Sequence, residues 1–129
     1  MILPDTSVWI AYFRPRESPA QMELRHLLER SQVIVAGVVL AELLRGARSP
    51  GEFHFLAQTL SLLPQANVSD DTWVRCGEVS YTLMRQGTTI GLADALIATI
   101  AIDGGHDLYT LDSDFEQIPN LRLYRPVTS

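Results

Sequence analysis

Short apolar runs alternate along this chain with longer stretches in which apolar residues recur at helical spacing. Runs of this length, bounded by turn residues, are typical of strands buried on both faces of a parallel sheet. Pro4 adjoins the first run and has no backbone N–H, so we expect it at the last paired position of its strand. The predicted strands lie near residues 2, 34, 108 and 122.

The stretches between these runs carry start and stop signals of helices. Starts are marked by a hydroxyl or acidic residue, twice followed by proline at the first helical position, and ends by glycine. The start signals are Thr6 or Ser7, Ser18-Pro19, Gly37, Ser49-Pro50, Ser69 or Asp70, and Gly91, and the stop signals are Gly87 and Gly104-Gly105. The first helix is therefore expected to begin after a Thr6 or Ser7 cap and to run to residue 13.

Strands separated by helices predict an α/β domain of three layers, with a mostly parallel central sheet flanked by helices. A chain of 129 residues is long enough for one domain with a sizeable core. No linker, repeat or low-complexity segment interrupts the pattern. We therefore interpret residues 1–129 as a single domain.

Composition excludes several other classes of protein. Apolar residues make up 47% of the chain, too many for a disordered protein, and no apolar run approaches the ~18 residues of a transmembrane helix. The first residues carry no basic segment, so no signal peptide is expected. The single cysteine, Cys76, allows no internal disulfide, and three scattered histidines indicate no zinc cluster. We expect a cytoplasmic protein with no membrane association.

The charge balance points to a local concentration of acids. The net charge is −5, which does not suggest nucleic-acid binding through bulk positive charge, and all ten basic residues are arginine. If five of the fifteen acids form one site, ten acids remain to balance ten arginines. The excess negative charge would then belong to the site, where bound cations would reverse its sign.

Isolated acids stand at the ends of predicted strands and within the first turns of predicted helices. Asp5 follows the first strand, Glu42 interrupts an otherwise apolar helix, and Asp94 lies in an apolar helix start. An acid buried among apolar residues is costly unless something compensates it, and a metal ion is the natural compensation. Asp112 and Asp114 follow the strand near residue 108, at the edge where open α/β sheets place their sites.

Each acid alone has a simpler interpretation. Asp5 could cap a helix, Glu42 could pair with Arg45, and the acids after residue 111 could form a turn. Asp94 gains from the helix dipole, but by less than ~1 kcal/mol, too little to offset burial. Four isolated acids at such positions are harder to explain independently than as one site.

Four segments also carry a resemblance to a known family. They are DTSVWI at residues 5–10, AELLRGA at 41–47, GLADALIA at 91–98 and LDSDF at 111–115. Their order, spacing and residue types resemble the PIN-domain ribonucleases, and most closely the VapC toxins of prokaryotic toxin–antitoxin pairs. The resemblance runs nearly end to end, although Pro4 departs from the usual apolar residue at its position.

The resemblance implies a metal-dependent endoribonuclease, the toxin of a type II toxin–antitoxin system, whose invariant acids fall on Asp5, Glu42, Asp94 and Asp112. Asp114 matches a more variable acid, Ser7 matches a hydroxyl position often found in the site, and Thr110 is a candidate for a second hydroxyl. It also implies an RNA substrate, a homodimer and a cognate VapB-like antitoxin whose basic or aromatic segment fills the acidic groove.

The donor types favour Mg²⁺, with Mn²⁺ as the alternative, because oxygen ligands occur without clustered nitrogen or sulfur. Such ions activate water and stabilise the leaving oxygen in phosphodiester hydrolysis. We expect Asp5 and Asp94 to be principal ligands, Asp112 to complete the site, and Glu42 to ligate or to orient the attacking water. Histidine-driven RNA cyclisation is disfavoured because no histidine falls in a motif.

Other functions fit the sequence less well. An aspartyl-phosphatase could use the acids at 112 and 114, but its motif would stand early in the chain and be followed by a lysine. A phospho-receiver domain also needs a lysine, and the chain has none. The alternatives that remain are a non-catalytic PIN-like binding module and a housekeeping RNA-processing nuclease without an antitoxin. Whether the RNA is tRNA, rRNA or mRNA is open at this point.

Overall fold

Six α-helices and two short strands form in the part of the chain that the computed structural model describes, residues 1–127. Helices separate successive sheet positions, as the hydrophobic pattern predicts. The helices are α1 (Thr6–Phe13), α2 (Pro19–Glu29), α3 (Gly37–Arg45), α4 (Pro50–Ser61), α5 (Asp70–Arg85) and α6 (Leu92–Gly104). The strands are β1 (Ile2–Pro4) and β2 (Asp107–Tyr109), and a 3₁₀ helix covers Ser113–Gln117.

The first apolar run forms the central strand. β1 pairs in parallel with β2, and Pro4 stands opposite Tyr109 at the last paired position, as its missing N–H predicts. On the other side of β1, the N–H of Ile34 donates to the carbonyl of Ile2 at 2.9 Å. β1 therefore has a neighbour on each side, and the carboxyl end of this strand faces the start of α1.

Two of the predicted strands are shorter than expected. The run at residues 33–36 pairs only at Val33 and Val35, because the chain turns into α3 directly afterwards, and the run at residues 121–123 pairs only at Leu123. Val35 pairs with Gln65, in a segment expected to be irregular. All of these pairings are parallel. They confirm an α/β domain with a parallel sheet flanked by helices.

The cap of α1 is Asp5, so the expectation that Thr6 or Ser7 caps this helix is wrong. Asp5 has an extended backbone, and its side chain accepts a hydrogen bond from the N–H of Val8. An aspartate is as good a cap as serine, and here the strand ends one residue before it. The serines before α2 and α4 cap those helices as predicted.

Helix α6 brings the chain back to the sheet beside β1. Its residues from Ala95 to Ala101 are all buried, and it packs on α5 and contacts β2. Gly105 follows with φ of 67°, a left-handed conformation that glycine adopts without steric cost. The reversal at Gly105 places the first turn of α6 and the end of β2 at the same edge of the domain.

A single hydrophobic core lies between the sheet and the helices. Trp9 of α1 and Phe115 of the 3₁₀ helix are among its largest fully buried side chains. α1 packs on α2 and α3, which fixes the α1 start against the rest of the fold. Within residues 1–127, no helix combines the length and apolar character needed to cross a membrane.

Candidate metal and active site

Asp5 stands at the carboxyl end of the central strand. Its backbone N–H donates to the carbonyl of Tyr109 at 2.9 Å, which fixes the residue against the end of β2. Asp5 is only 4% exposed. Burial raises the pKa of its carboxyl, and hydrogen bonds from Ser7, Thr110 and the α1 backbone oppose that rise. Asp5 is thus a fixed, buried acid at the sheet edge where α/β domains place their sites.

Two hydroxyl groups hold the two carboxylate oxygens of Asp5. Ser7 Oγ donates to Oδ1 at 2.5 Å, and Thr110 Oγ1 donates to Oδ2 at 2.5 Å. Each hydroxyl also accepts from a backbone N–H, Ser7 from Leu111 at 3.1 Å and Thr110 from Asp112 at 3.0 Å. The start of α1 is therefore tied to the loop after β2, and both hydroxyls predicted from the sequence lie against Asp5.

Glu42 reaches the same region from α3. Its side chain is half-buried, and Oε1 accepts a hydrogen bond from Thr6 Oγ1 at 2.6 Å. Because Thr6 directly follows Asp5, this bond brings the Glu42 carboxylate alongside the start of α1. None of the ion pairs within residues 1–127 joins Glu42 to Arg45, which was the simpler interpretation of this acid.

Asp94 is the residue around which the acids converge. It lies in the first turn of α6 and is not the cap of that helix. Burial raises the pKa of its carboxyl, and four negative charges raise that pKa further. In descending order of effect, these belong to Glu42, Asp112, Asp5 and Asp114. Five acids from four separate chain segments therefore occupy one region, called the acid group below.

Asp112 and Asp114 join the acid group from the loop after β2. Asp112 caps the 3₁₀ helix, and its Oδ1 accepts from the N–H of Asp114 at 2.9 Å. Asp5 therefore does cap a helix, as its simpler interpretation proposed, and Asp112 also acts as a cap; both residues belong to the acid group as well. Asp114 is exposed, and of the four acids it raises the pKa of Asp94 least.

Comparison with known proteins assigns the fold to a family. The PIN domain matches residues 2–121, almost the whole chain. The chain belongs to the PIN-domain family. This PIN domain is 34% identical over 125 residues to ribonuclease VapC11 of Mycobacterium tuberculosis, covering 94% of the chain and 93% of the relative. It is 30% identical over 124 residues to the tRNA(fMet)-specific endonuclease VapC of Salmonella typhimurium, covering 92% of each.

Solved structures show the same PIN architecture. A chain of the VapBC2 structure from Rickettsia felis, bound to a DNA fragment from its promoter, superposes with a TM-score of 0.81 at 27% identity, covering 96% of this chain and 98% of that one. The DNA-bound VapBC structure from Salmonella typhimurium gives a TM-score of 0.79 at 24% identity, with 95% and 96% covered, and shows the fold alone. The resemblance read from the four sequence segments is thereby confirmed.

The acid group of this PIN domain has the charge and the donor atoms of a metal site, but its carboxylates are not arranged as the ligands of one ion within residues 1–127. Within residues 1–127, no three His, Cys, Asp or Glu side chains lie close enough together to hold an ion as they stand. Burial, and after it the charges of the four neighbouring acids, raise the pKa of Asp94, as expected for carboxylates with no cation between them. All the donors are oxygens, which Mg²⁺ and Mn²⁺ prefer. The residues fit such an ion by donor type and charge.

The arginines within residues 1–127 leave the acid group uncompensated. Their ion pairs lie elsewhere on the surface and join residues outside the group: Arg75 with Asp103, Arg122 with Asp107, and Arg125 with Glu116. No arginine ion pair within residues 1–127 involves a member of the acid group. A cation, or a cationic side chain from a partner, is the natural complement to this PIN domain's acid group.

Sequence reasoning missed the contribution of Thr6, which was expected only as a helix cap. Because Asp5 takes the cap position, Thr6 and Ser7 enter the first turn, and their hydroxyls bond to Glu42 and Asp5 respectively. An aspartate at a strand end, followed by two hydroxyl residues, is the signal that could have indicated this arrangement.

Proposed function

We propose that this chain is a metal-dependent endoribonuclease and the toxin of a type II toxin–antitoxin pair. The observation that carries the proposal is the convergence of five acids from four chain segments around Asp94. The names of related proteins support it, since they include ribonuclease VapC11 and a tRNA(fMet)-specific endonuclease VapC. Mg²⁺ is the proposed cofactor, with Mn²⁺ as the alternative.

Asp5, Asp94 and Asp112 would hold the cation, and Glu42 would ligate it or orient the attacking water. When bound, Mg²⁺ or Mn²⁺ supplies Lewis-acid stabilisation of the charge that develops on the phosphate and the leaving oxygen. The hydrogen bonds from Ser7 and Thr110 set the position of Asp5 before a substrate arrives. Such fixed outer contacts keep an acidic ligand oriented toward the site.

The reaction is the hydrolysis of an RNA phosphodiester. The attacking water forms a bond to phosphorus while the bond from phosphorus to the 3′ oxygen breaks. Glu42, anchored through Oε1 by Thr6, is the group proposed to take the proton of that water. The leaving 3′ oxygen takes up a proton from solvent, so the products are a 3′-hydroxyl on one fragment and a 5′-phosphate on the other.

The proposed partners are an RNA substrate, a cognate VapB-like antitoxin and a second copy of the chain. Support for the antitoxin comes from a structural neighbour, the VapBC2 structure from Rickettsia felis, to which the chain is 27% identical. An arginine from the antitoxin would neutralise the acid group, whose members repel one another in the absence of a cation. The cytoplasm is the proposed location of this activity.

Cleavage of a labelled RNA by the purified protein tests the activity. We expect endonucleolytic cuts in Mg²⁺ or Mn²⁺, products with 5′-phosphate ends, and no cleavage in EDTA. Products with cyclic phosphates, or full activity in EDTA, would contradict the proposed reaction. Co-purification with the product of an adjacent small reading frame, together with loss of nuclease activity in that complex, tests the toxin assignment separately. Failure of the pair to co-purify would favour a housekeeping nuclease.

A further inference from the structure

A groove of about 470 Å³ opens beside the acid group, between α1, α3 and α4. Glu42 lines this groove and is also a member of the acid group, so the groove and the acid group share a residue. The segment after α1 and the first two turns of α4 also line the groove. A polymer whose phosphate lies at the acids would therefore pass beside this groove at Glu42.

Two arginines on the walls of the groove carry charge that the described residues do not neutralise. Arg14, in the loop after α1, and Arg48, just before α4, both line the groove and are exposed. Neither takes part in an ion pair within residues 1–127. Exposed guanidinium groups make bidentate hydrogen bonds to phosphates, for which their planar geometry is suited.

An exposed aromatic side chain also lines this groove. Phe55 of α4 is 56% exposed, although its ring lies edge-on to Phe13 with centroids 6.0 Å apart. Phe13 is itself stacked on the buried Trp9 at 5.8 Å. Phe55 is therefore an exposed ring on a rigid aromatic base, and such a ring binds a stacked nucleobase at little entropic cost.

We propose that this groove, between Glu42 and Arg48, binds the single-stranded RNA flanking the scissile phosphate. Arg14 and Arg48 contact backbone phosphates, and Phe55 stacks on a base. Exposed arginines beside an aromatic platform are the combination that single-stranded nucleic acid requires. The inference rests on the proposed nuclease function, because that function places the scissile phosphate at the acid group. Glu52, which also lines the groove, opposes phosphate binding by repulsion.

Fluorescence anisotropy with a labelled single-stranded RNA oligonucleotide, in EDTA so that no cleavage occurs, tests the groove. The R14Q/R48Q variant should raise Kd at least about tenfold at low salt and reduce the slope of log Kd against log salt by about 1.4, near 0.7 for each lost phosphate contact. F55L should raise Kd about fivefold to a hundredfold, as expected for one lost stacking contact. E52Q should lower Kd.

The R25Q/R85Q variant is the matched control, because it removes two exposed arginines that do not line the groove. It should bind RNA like the wild type. In Mn²⁺, the groove variants should raise KM by a larger factor than they lower kcat. An RNA carrying 2-aminopurine beside the cleavage site should show base quenching with the wild type and lose it with F55L.

Three results would separate the groove from the nuclease assignment. If the wild type binds RNA with this variant pattern but does not cleave it, the groove stands and the nuclease function falls. If all variants bind RNA equally, the groove proposal is overturned while cleavage stands. If R14Q/R48Q and F55L retain RNA binding but lose a co-purified antitoxin, the groove belongs to a protein segment, and the RNA proposal is likewise overturned.

Discussion

Replacing Thr110 with valine should test how much the structure depends on the hydrogen bonds that hold Asp5. Valine keeps the shape of the side chain but removes the hydroxyl that donates to Asp5 Oδ2 at 2.5 Å. A net hydrogen bond to a charged group contributes about 1.5–3 kcal/mol, and at 4% exposure Asp5 has little access to water as a replacement. The melting temperature in EDTA at neutral pH should therefore fall by roughly 5–12 °C.

The same substitution has a predictable pH dependence. Burial already raises the pKa of Asp5 above 3.8, and the Thr110 hydrogen bond opposes that rise, so its loss raises the folded-state pKa further. A raised folded-state pKa means that the ionised acid is less favourable in the folded protein. The difference in the free energy of unfolding between variant and wild type therefore reaches its full value above the folded-state pKa of the variant. It disappears as the pH falls through the folded pKa of the wild type. Thermal melts between about pH 7 and about pH 4 measure it.

Thr99→Val is the matched control for this prediction. Thr99 is buried, and its hydroxyl donates to the carbonyl of Ala95 within α6 at 2.7 Å, so no carboxylate depends on it. Its loss should cost less than about 1 kcal/mol. The Thr110→Ser variant, which retains a hydroxyl, should recover part of the stability. If Thr110→Val is no less stable at neutral pH than Thr99→Val, the reasoning about Asp5 is refuted.

Three further predictions concern a hydrogen bond, a backbone conformation and the pKa of two tyrosines. Thr6→Val should lower kcat on RNA in Mn²⁺ by roughly tenfold to a hundredfold, because it removes the hydroxyl that donates to the proposed catalytic Glu42 and orients it. An unchanged kcat would show that Thr6 is not part of the site. Gly105→Ala should lower the free energy of unfolding by about 1–2 kcal/mol in denaturant melts, since its φ is 67°, whereas Gly37→Ala, with open space around it, should not. Burial raises the pKa of Tyr109 and of Tyr124 to about 12 each. An alkaline absorbance titration should therefore show two tyrosines that ionise near pH 12. Ionisation of every tyrosine near pH 10 would contradict the raised pKa of this pair.

Local signals made most of the fold predictable, and long-range pairing limited the rest. Ser18 and Ser49 cap their helices because capping depends on only a few neighbouring residues. The pairing of Val35 with Gln65 has no comparable local signal, since an irregular segment reaches the sheet only through its tertiary contacts. Strand lengths were overestimated for the same reason.

The candidate site could likewise be predicted only in part from the sequence. Acids at strand ends and helix starts could be predicted to meet, because parallel strands end at one edge of the sheet. The hydrogen-bond partners that orient these acids could not be predicted, because the Thr6–Glu42 bond joins residues 36 apart in sequence and the Thr110–Asp5 bond joins residues 105 apart. The cap position was also ambiguous in sequence, because Asp5, Thr6 and Ser7 are all good caps.

Asp94→Asn tests most directly whether the acid group is a single metal site. Burial and four nearby acids raise the pKa of Asp94, so the ionised carboxylate destabilises the metal-free fold as pH rises through that pKa. Asparagine removes this charge while keeping the side-chain size. In EDTA at neutral pH, the variant should melt at a higher temperature than the wild type.

The decisive measurement is the melting temperature of both proteins across a Mn²⁺ titration. At a hundredfold excess over its dissociation constant, Mn²⁺ should stabilise the wild type by ~2.7 kcal/mol, and the asparagine variant, which lacks one of the proposed ligands, should gain much less. The advantage of the variant in EDTA should therefore shrink or reverse. Equal Mn²⁺ stabilisation of both proteins, or a variant that melts lower than the wild type in EDTA, would contradict the claim that Asp94 belongs to a shared metal site.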